Sequence, residues 1–151
     1  GSEAAALSPG DVKALSAFAK QGGWLWLEAA TGSVAFNKAF RTAAAGAGWD
    51  VTLLAGGHPM VSGKMGGPKG FDLAKNVQFR QALKVLRTGR DRADFQGIYM
   101  DNRIVGVFSP IDVVFSSTPY EACGCRGYAT GDARAVAANI LLYAASERPE
   151  R

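Results

Sequence analysis

The chain has 151 residues, 48% of them apolar and 20% charged, which suits one domain with a single sizeable core and excludes a disordered chain. No apolar run approaches the ~20 residues that cross a bilayer as a helix, and no charged-then-apolar signal segment opens the chain. A net charge of +4 permits acidic partners without demanding them. Gly1-Ser2 reads as a cloning scar, so the expectation is one α/β domain over 1–151, excised from a longer chain.

In chain order, Ser8-Pro9-Gly10-Asp11 is a helix start. Ser8 suits the N-cap, Pro9 the first helical position, and Asp11 meets the positive helix end. Val12, Leu15, Phe18 and Ala19 recur at helical spacing, and Gly22-Gly23 stop the helix. Trp24–Leu27 follows as a short apolar strand. Ser33 caps a second helix with Phe36, Ala39, Phe40, Ala43 and Ala44 on one face, and Trp49–Leu54 is the next strand. This strand–helix–strand alternation points to a layered α/β domain.

Met60–Leu73, rich in Gly, Lys and Pro, reads as a long surface loop. Phe79–Leu86 reads as an extended entry followed by a short helix. Gly97–Met100 and Arg103–Phe108 are apolar, β-branched runs separated by Asp101-Asn102, the pattern of a β-hairpin with a tight primed turn. The second arm is apolar on both faces and predicts a strand deep in the sheet, ended by Ser109-Pro110. Val113–Phe115 continues as strand or turn, and Ser116–Gly127 is a loop. Thr130-Gly131-Asp132 starts a last helix whose Ala133, Val136, Ala137, Ile140, Leu141 and Ala144 cover the sheet, with Asn139 as a polar contact beneath it. Glu147–Arg151 is a polar tail that reads as frayed.

Cys123 and Cys125 lie in Cys-Gly-Cys. A bridge between residues two apart is strained, and two thiolates are half a zinc site. The single histidine, His58, is remote in sequence, so the pair is a weak metal candidate and reads more plainly as two loop thiols. No cofactor is expected.

Several blocks resemble a bacterial family known as domain of unknown function 4159. They are Gly22-Gly23-Trp24-Leu25, Ala35–Arg41 (AFNKAFR), Gly57-His58-Pro59, Phe95–Ile98 with Asp101-Asn102-Arg103, Val107–Asp112 (VFSPID), and Gly127-Tyr128 leading to Ala138–Ala144 (ANILLYA). Their order and spacing carry the likeness, over nearly the whole chain. The family is similar in outline to class I glutamine amidotransferase-like and trehalose-utilisation-type domains. The resemblance therefore implies a three-layer, flavodoxin-like α/β fold: a mostly parallel central sheet, a β-hairpin and a C-terminal covering helix. It also implies an extracytoplasmic or envelope-associated bacterial setting, with other domains or subunits of a larger protein as partners, and it brings no activity. Cys123-Gly124-Cys125 and Asn102, where the family hairpin usually has Gly, depart from its pattern. The strand that family members carry ahead of the capped helix is missing or cut off.

Glu28, His58, Ser109 and Asp112 each follow an apolar strand, and parallel strands place such groups along one sheet edge. With Thr31 they are the candidate binding residues for a small-molecule ligand. A hydrolase would use Ser109 as nucleophile, His58 as base, and Asp112 or Glu28 to orient it. Ser109 lacks a Gly-x-Ser-x-Gly elbow, and turn chemistry accounts for the same residues: Ser109 before Pro110, Asp112 accepting backbone N–H groups, His58-Pro59 as a bend. Eight basic residues between Lys64 and Arg92 (Lys64, Lys69, Lys75, Arg80, Lys84, Arg87, Arg90, Arg92) face only Asp72 and Asp91, an anion- or nucleic-acid-binding pattern. No phosphate-binding glycine fingerprint accompanies them, and a solvated face explains them more simply. The favoured expectation is thus a non-catalytic binding or scaffold module of a larger bacterial protein, with hydrolase second and nucleic acid the least favoured partner.

Overall fold

The structure, a computed structural model, describes residues 7–146. Among these residues the elements are α1 (Pro9–Lys20), β1 (Leu25–Glu28), α2 (Val34–Gly46), β2 (Asp50–Leu53), α3 (Pro59–Ser62), α4 (Gln81–Lys84), β3 (Gln96–Met100), β4 (Arg103–Ser109) and α5 (Thr130–Ser146). Single 3-10 turns sit at Ala30–Gly32 and Phe115–Ser117. The expectations for Gly1-Ser2 and for the 147–151 tail lie outside the described residues.

Local chemistry sets most boundaries. Ser8 and Asp11 form a reciprocal capping box, the Asp11 N–H donating to Ser8 Oγ at 3.1 Å and the Ser8 N–H to Asp11 Oδ2 at 2.9 Å. Ser33 Oγ accepts the Phe36 N–H at the start of α2. Asp101 and Asn102 take φ 51° and 60°, as a primed hairpin turn requires. Phe79 makes an extended bridge to Tyr128 before α4 begins.

The sheet corrects one expectation. Its order is β1-β4-β3-β2, with β1·β4 parallel but β4·β3 and β3·β2 antiparallel, so it is mixed rather than mostly parallel. The hairpin is the reason. It inserts β3, running backwards, between β4 and β2, while β1, β4 and β2 all point the same way. A bulge between the Ile98 and Tyr99 pairings adds Val105 to β4. After it, Val105 and Phe108 face α1 and α2, while Ile104 and Val107 face α5. Gly106 sits where β1 comes closest. A Cβ there would lie 2.4 Å from the Leu25 carbonyl oxygen.

Helices cover both sheet faces. On one, Val12 and Ala19 of α1 and Phe36, Phe40 and Ala44 of α2 pack on Leu25, Ile98 and Phe108, with Phe40 and Phe108 stacked at 4.0 Å. On the other, Ala133, Val136, Ile140 and Tyr143 of α5 pack with Met60, Val61, Leu73 and Phe95. Met60–Leu73 is therefore not simply a surface loop, because it delivers Met60, Val61 and Leu73 to this core. Asn139 holds it there, fully buried. It accepts the Phe71 N–H at 2.8 Å and donates to the Met60 and Phe71 carbonyls at 2.9 and 2.8 Å.

Candidate functional site

The register aligns Leu27 with Phe108, Phe108 with Gln96, and Gln96 with Leu53. The three co-directional strands thus end along one edge, and Glu28, Ser109–Asp112 and the Ala55–His58 turn all leave from it.

Asp112 is the centre of this edge and is fully buried. Its carboxylate accepts the Thr31 N–H at 2.6 Å on one oxygen and the Ser116 N–H at 2.7 Å on the other. Thr31 can present that N–H because it takes φ 54°, turning the backbone inward while its side chain stays exposed. Gly32 follows at φ 70°, where a Cβ would meet Arg126 Cβ and its carbonyl oxygen at 2.5 Å. The Asp112 N–H donates to the Arg126 carbonyl at 3.1 Å and the Arg126 N–H to that of Thr31 at 3.0 Å. Asp112 thereby ties three chain segments, those around 31 and 116 through its side chain and that around 126 through its main chain.

Glu28 is the second acid. It is half-buried, and each carboxyl oxygen lies 3.3 Å from the Val114 N–H. Burial first, and then the neighbouring Asp112 charge, push its carboxyl up from 4.5 to about 7. Ser116 Oγ lies 3.8 Å from Cys125 Sγ, and burial raises that thiol above its ordinary range. Cys125 is buried, Cys123 is exposed and both are free thiols. Among the described residues no three His, Cys, Asp or Glu side chains gather as metal ligands would.

Ser109 and His58 share the edge with different partners. The fully buried Ser109 hydroxyl donates to the Ile111 carbonyl at 2.5 Å, and the Tyr128 hydroxyl, also fully buried, accepts the Asp94 N–H at 3.0 Å. His58 caps α3, its Nδ1 accepting the Met60 N–H at 3.2 Å, and its ring lies 5.2 Å from that of Tyr143. The structure therefore brings Glu28, Thr31 and Asp112 together. It commits the Ser109 proton to a backbone carbonyl rather than to a base.

The basic run divides. Arg80 donates to the Tyr120, Ser116 and Thr118 carbonyls at 2.8, 3.2 and 3.2 Å and lies over the Phe115 ring. Arg87 forms an ion pair with Asp94 and lies over Phe79. Arg92 donates to the Leu54 carbonyl. The role of Arg80 as a loop anchor carries no sequence signal, since its three acceptors are backbone groups 36 to 40 residues away. No helix among the described residues is long and apolar enough to cross a membrane. No family model, curated protein or solved structure matches the chain.

Proposed function

We propose that this domain is a non-catalytic binding or scaffold module of a larger bacterial protein, with a small ligand held at the Glu28–Thr31 edge. The observation that carries this reading is the Asp112 clasp: a buried carboxylate with both oxygens spent on backbone N–H groups organises loops and is closed to substrate. Ser109, buried and donating to Ile111, fits the same role. Membership of the domain of unknown function 4159 family, with a flavodoxin-like, amidotransferase-like layout and an envelope-associated setting, is proposed on the ordered sequence blocks. Helices on both sheet faces and three co-directional strands are compatible with it.

The test is a hydrolysis screen of ester, amide and phosphoester substrates beside urea unfolding, for wild type and Ser109→Ala. A scaffold gives no turnover in either protein and a loss of about 1–3 kcal/mol in the variant, from the stranded Ile111 carbonyl. Turnover in wild type that disappears in a folded Ser109→Ala overturns the reading. One observation favours acid–base chemistry as the second reading. A carboxyl titrating near 7 beside a buried carboxylate is poised to take or give a proton at neutral pH. In that case Glu28, and not Ser109, is the residue whose replacement abolishes turnover.

A further inference from the structure

Away from the Asp112 clasp, a cleft of about 410 Å³ opens where β2 ends and β3 begins. Leu53 and Gln96, register partners on those strands, form one wall, and the 87–94 loop forms the other. Gln96 is nine-tenths buried, and its Oε1 accepts from Arg41 Nη2 at 2.9 Å. A guanidinium only donates, so this bond fixes the amide's orientation and leaves the Nε2 donors on the other side. Among the described residues no acceptor meets them.

The loop opposite carries a net positive charge. Arg87, Arg90 and Arg92 line it with Asp91 and Asp94. Asp94 is taken by Arg87, and Asp91 Oδ2 accepts the Asn76 N–H at 3.1 Å. Arg92 spends one donor on the Leu54 carbonyl, and the exposed Arg90 meets no acceptor among the described residues. What remains is an excess of donors, two guanidinium forks and a primary amide, over one carboxylate, Asp91, that keeps its charge. Leu53, half exposed, supplies an apolar wall beside them.

We infer that this cleft binds the oxyanion group, phosphate or carboxylate, of a small ligand. Arg90 and Arg92 grip the group in forked, charge-assisted hydrogen bonds, the Gln96 amide donates to it, and Leu53 seats the ligand body. This divides the basic segment by role. Lys64 and Lys69 belong to the surface, whereas the arginines of the 87–94 loop form the pocket.

The test is a ¹⁵N–¹H NMR titration of the full chain with inorganic phosphate and, separately, with succinate, at an ionic strength held constant with sodium chloride. Saturable shifts of the Gln96 side-chain amide and of the Gly89, Asp91 and Ala93 backbone amides are expected. Arg90→Gln, which removes no protein contact, should weaken binding about tenfold, and Lys64→Gln should leave it unchanged. Saturation by phosphate alone assigns a phosphate-bearing ligand, and by succinate alone a carboxylate. Shifts that never saturate, that chloride reproduces, or that Lys64→Gln weakens as much as Arg90→Gln overturn the site.

Discussion

Replacing Glu28 with Gln tests the electrostatics of the strand edge directly. The folded protein holds the Glu28 proton up to about 7, whereas the unfolded chain releases it near 4.5. Between those values the folded state binds more protons, so stability falls as pH rises through the window. The contribution is complete below pH 4.5 and lost above about 7. At about 1.4 kcal/mol per pH unit the gap corresponds to about 3 kcal/mol. The carboxyl is only half-buried, and water's screening lowers this to about 1–2 kcal/mol. Gln has the shape of the protonated acid, can still accept the Val114 N–H, and does not titrate. In urea unfolding from pH 4 to 8.5, Glu28→Gln should match wild type near pH 4 and exceed it by about 1–2 kcal/mol at pH 8. Subtracting one curve from the other cancels every group the two proteins share. A difference that stays constant across the range refutes the reasoning, because Glu28 would then carry no perturbed proton.

Two further substitutions probe the frame around the edge. Asn139→Ala strands the Phe71 N–H and the Met60 and Phe71 carbonyls beneath α5, and should cost about 3 kcal/mol or more in the same unfolding assay. A loss below about 1 kcal/mol would mean that water replaces the amide. Gly106→Ala places a Cβ 2.4 Å from the Leu25 carbonyl and 2.6 Å from Leu25 Cβ, so β1 must shift from β4 at a cost of about 2–3 kcal/mol. Hydrogen exchange should show the loss concentrated at Leu25–Glu28, and protection unchanged there would contradict the close approach.

What the sequence made legible was what local chemistry decides. The Ser8–Asp11 box, the Ser33 cap and the Asp101-Asn102 turn each act within four residues, and each appears where the residues predict it. The strand order was not legible in the same way. A strand–helix–strand unit leaves open what lies between its strands, and here the hairpin places β3 between β4 and β2 and turns two of the three pairings antiparallel. Met60–Leu73 misled for a related reason. Its glycines and lysines describe a loop, but the three backbone groups that Asn139 holds from 68 to 79 residues away carry its apolar members into the core. The basic run showed its charge but not its acceptors, because backbone carbonyls have no residue type.

The same limit governs the site, and burial resolves it. The run from Ile104 to Phe108 is apolar on both faces, so β4 must be covered on both sides, and the residues that follow it inherit the cover. Ser109 and Asp112 are fully buried for that reason. A buried polar group needs a partner, and the nearest partners are the backbone groups of the turns it stands among: Ile111 for Ser109, Thr31 and Ser116 for Asp112. The position that makes Ser109 resemble a strand-end nucleophile thus also spends its proton. Thr31 contributes through a main-chain N–H made available by its positive φ, a role that Gly or Asn could fill as well, so its side chain gave no hint of it. Glu28 differs because β1 is an edge strand. Its carboxyl keeps contact with water while standing close enough to Asp112 to feel that charge. Glu28 thus joins a carboxyl that titrates near 7 to contact with solvent, which makes it the residue to replace first in any search for chemistry at this edge.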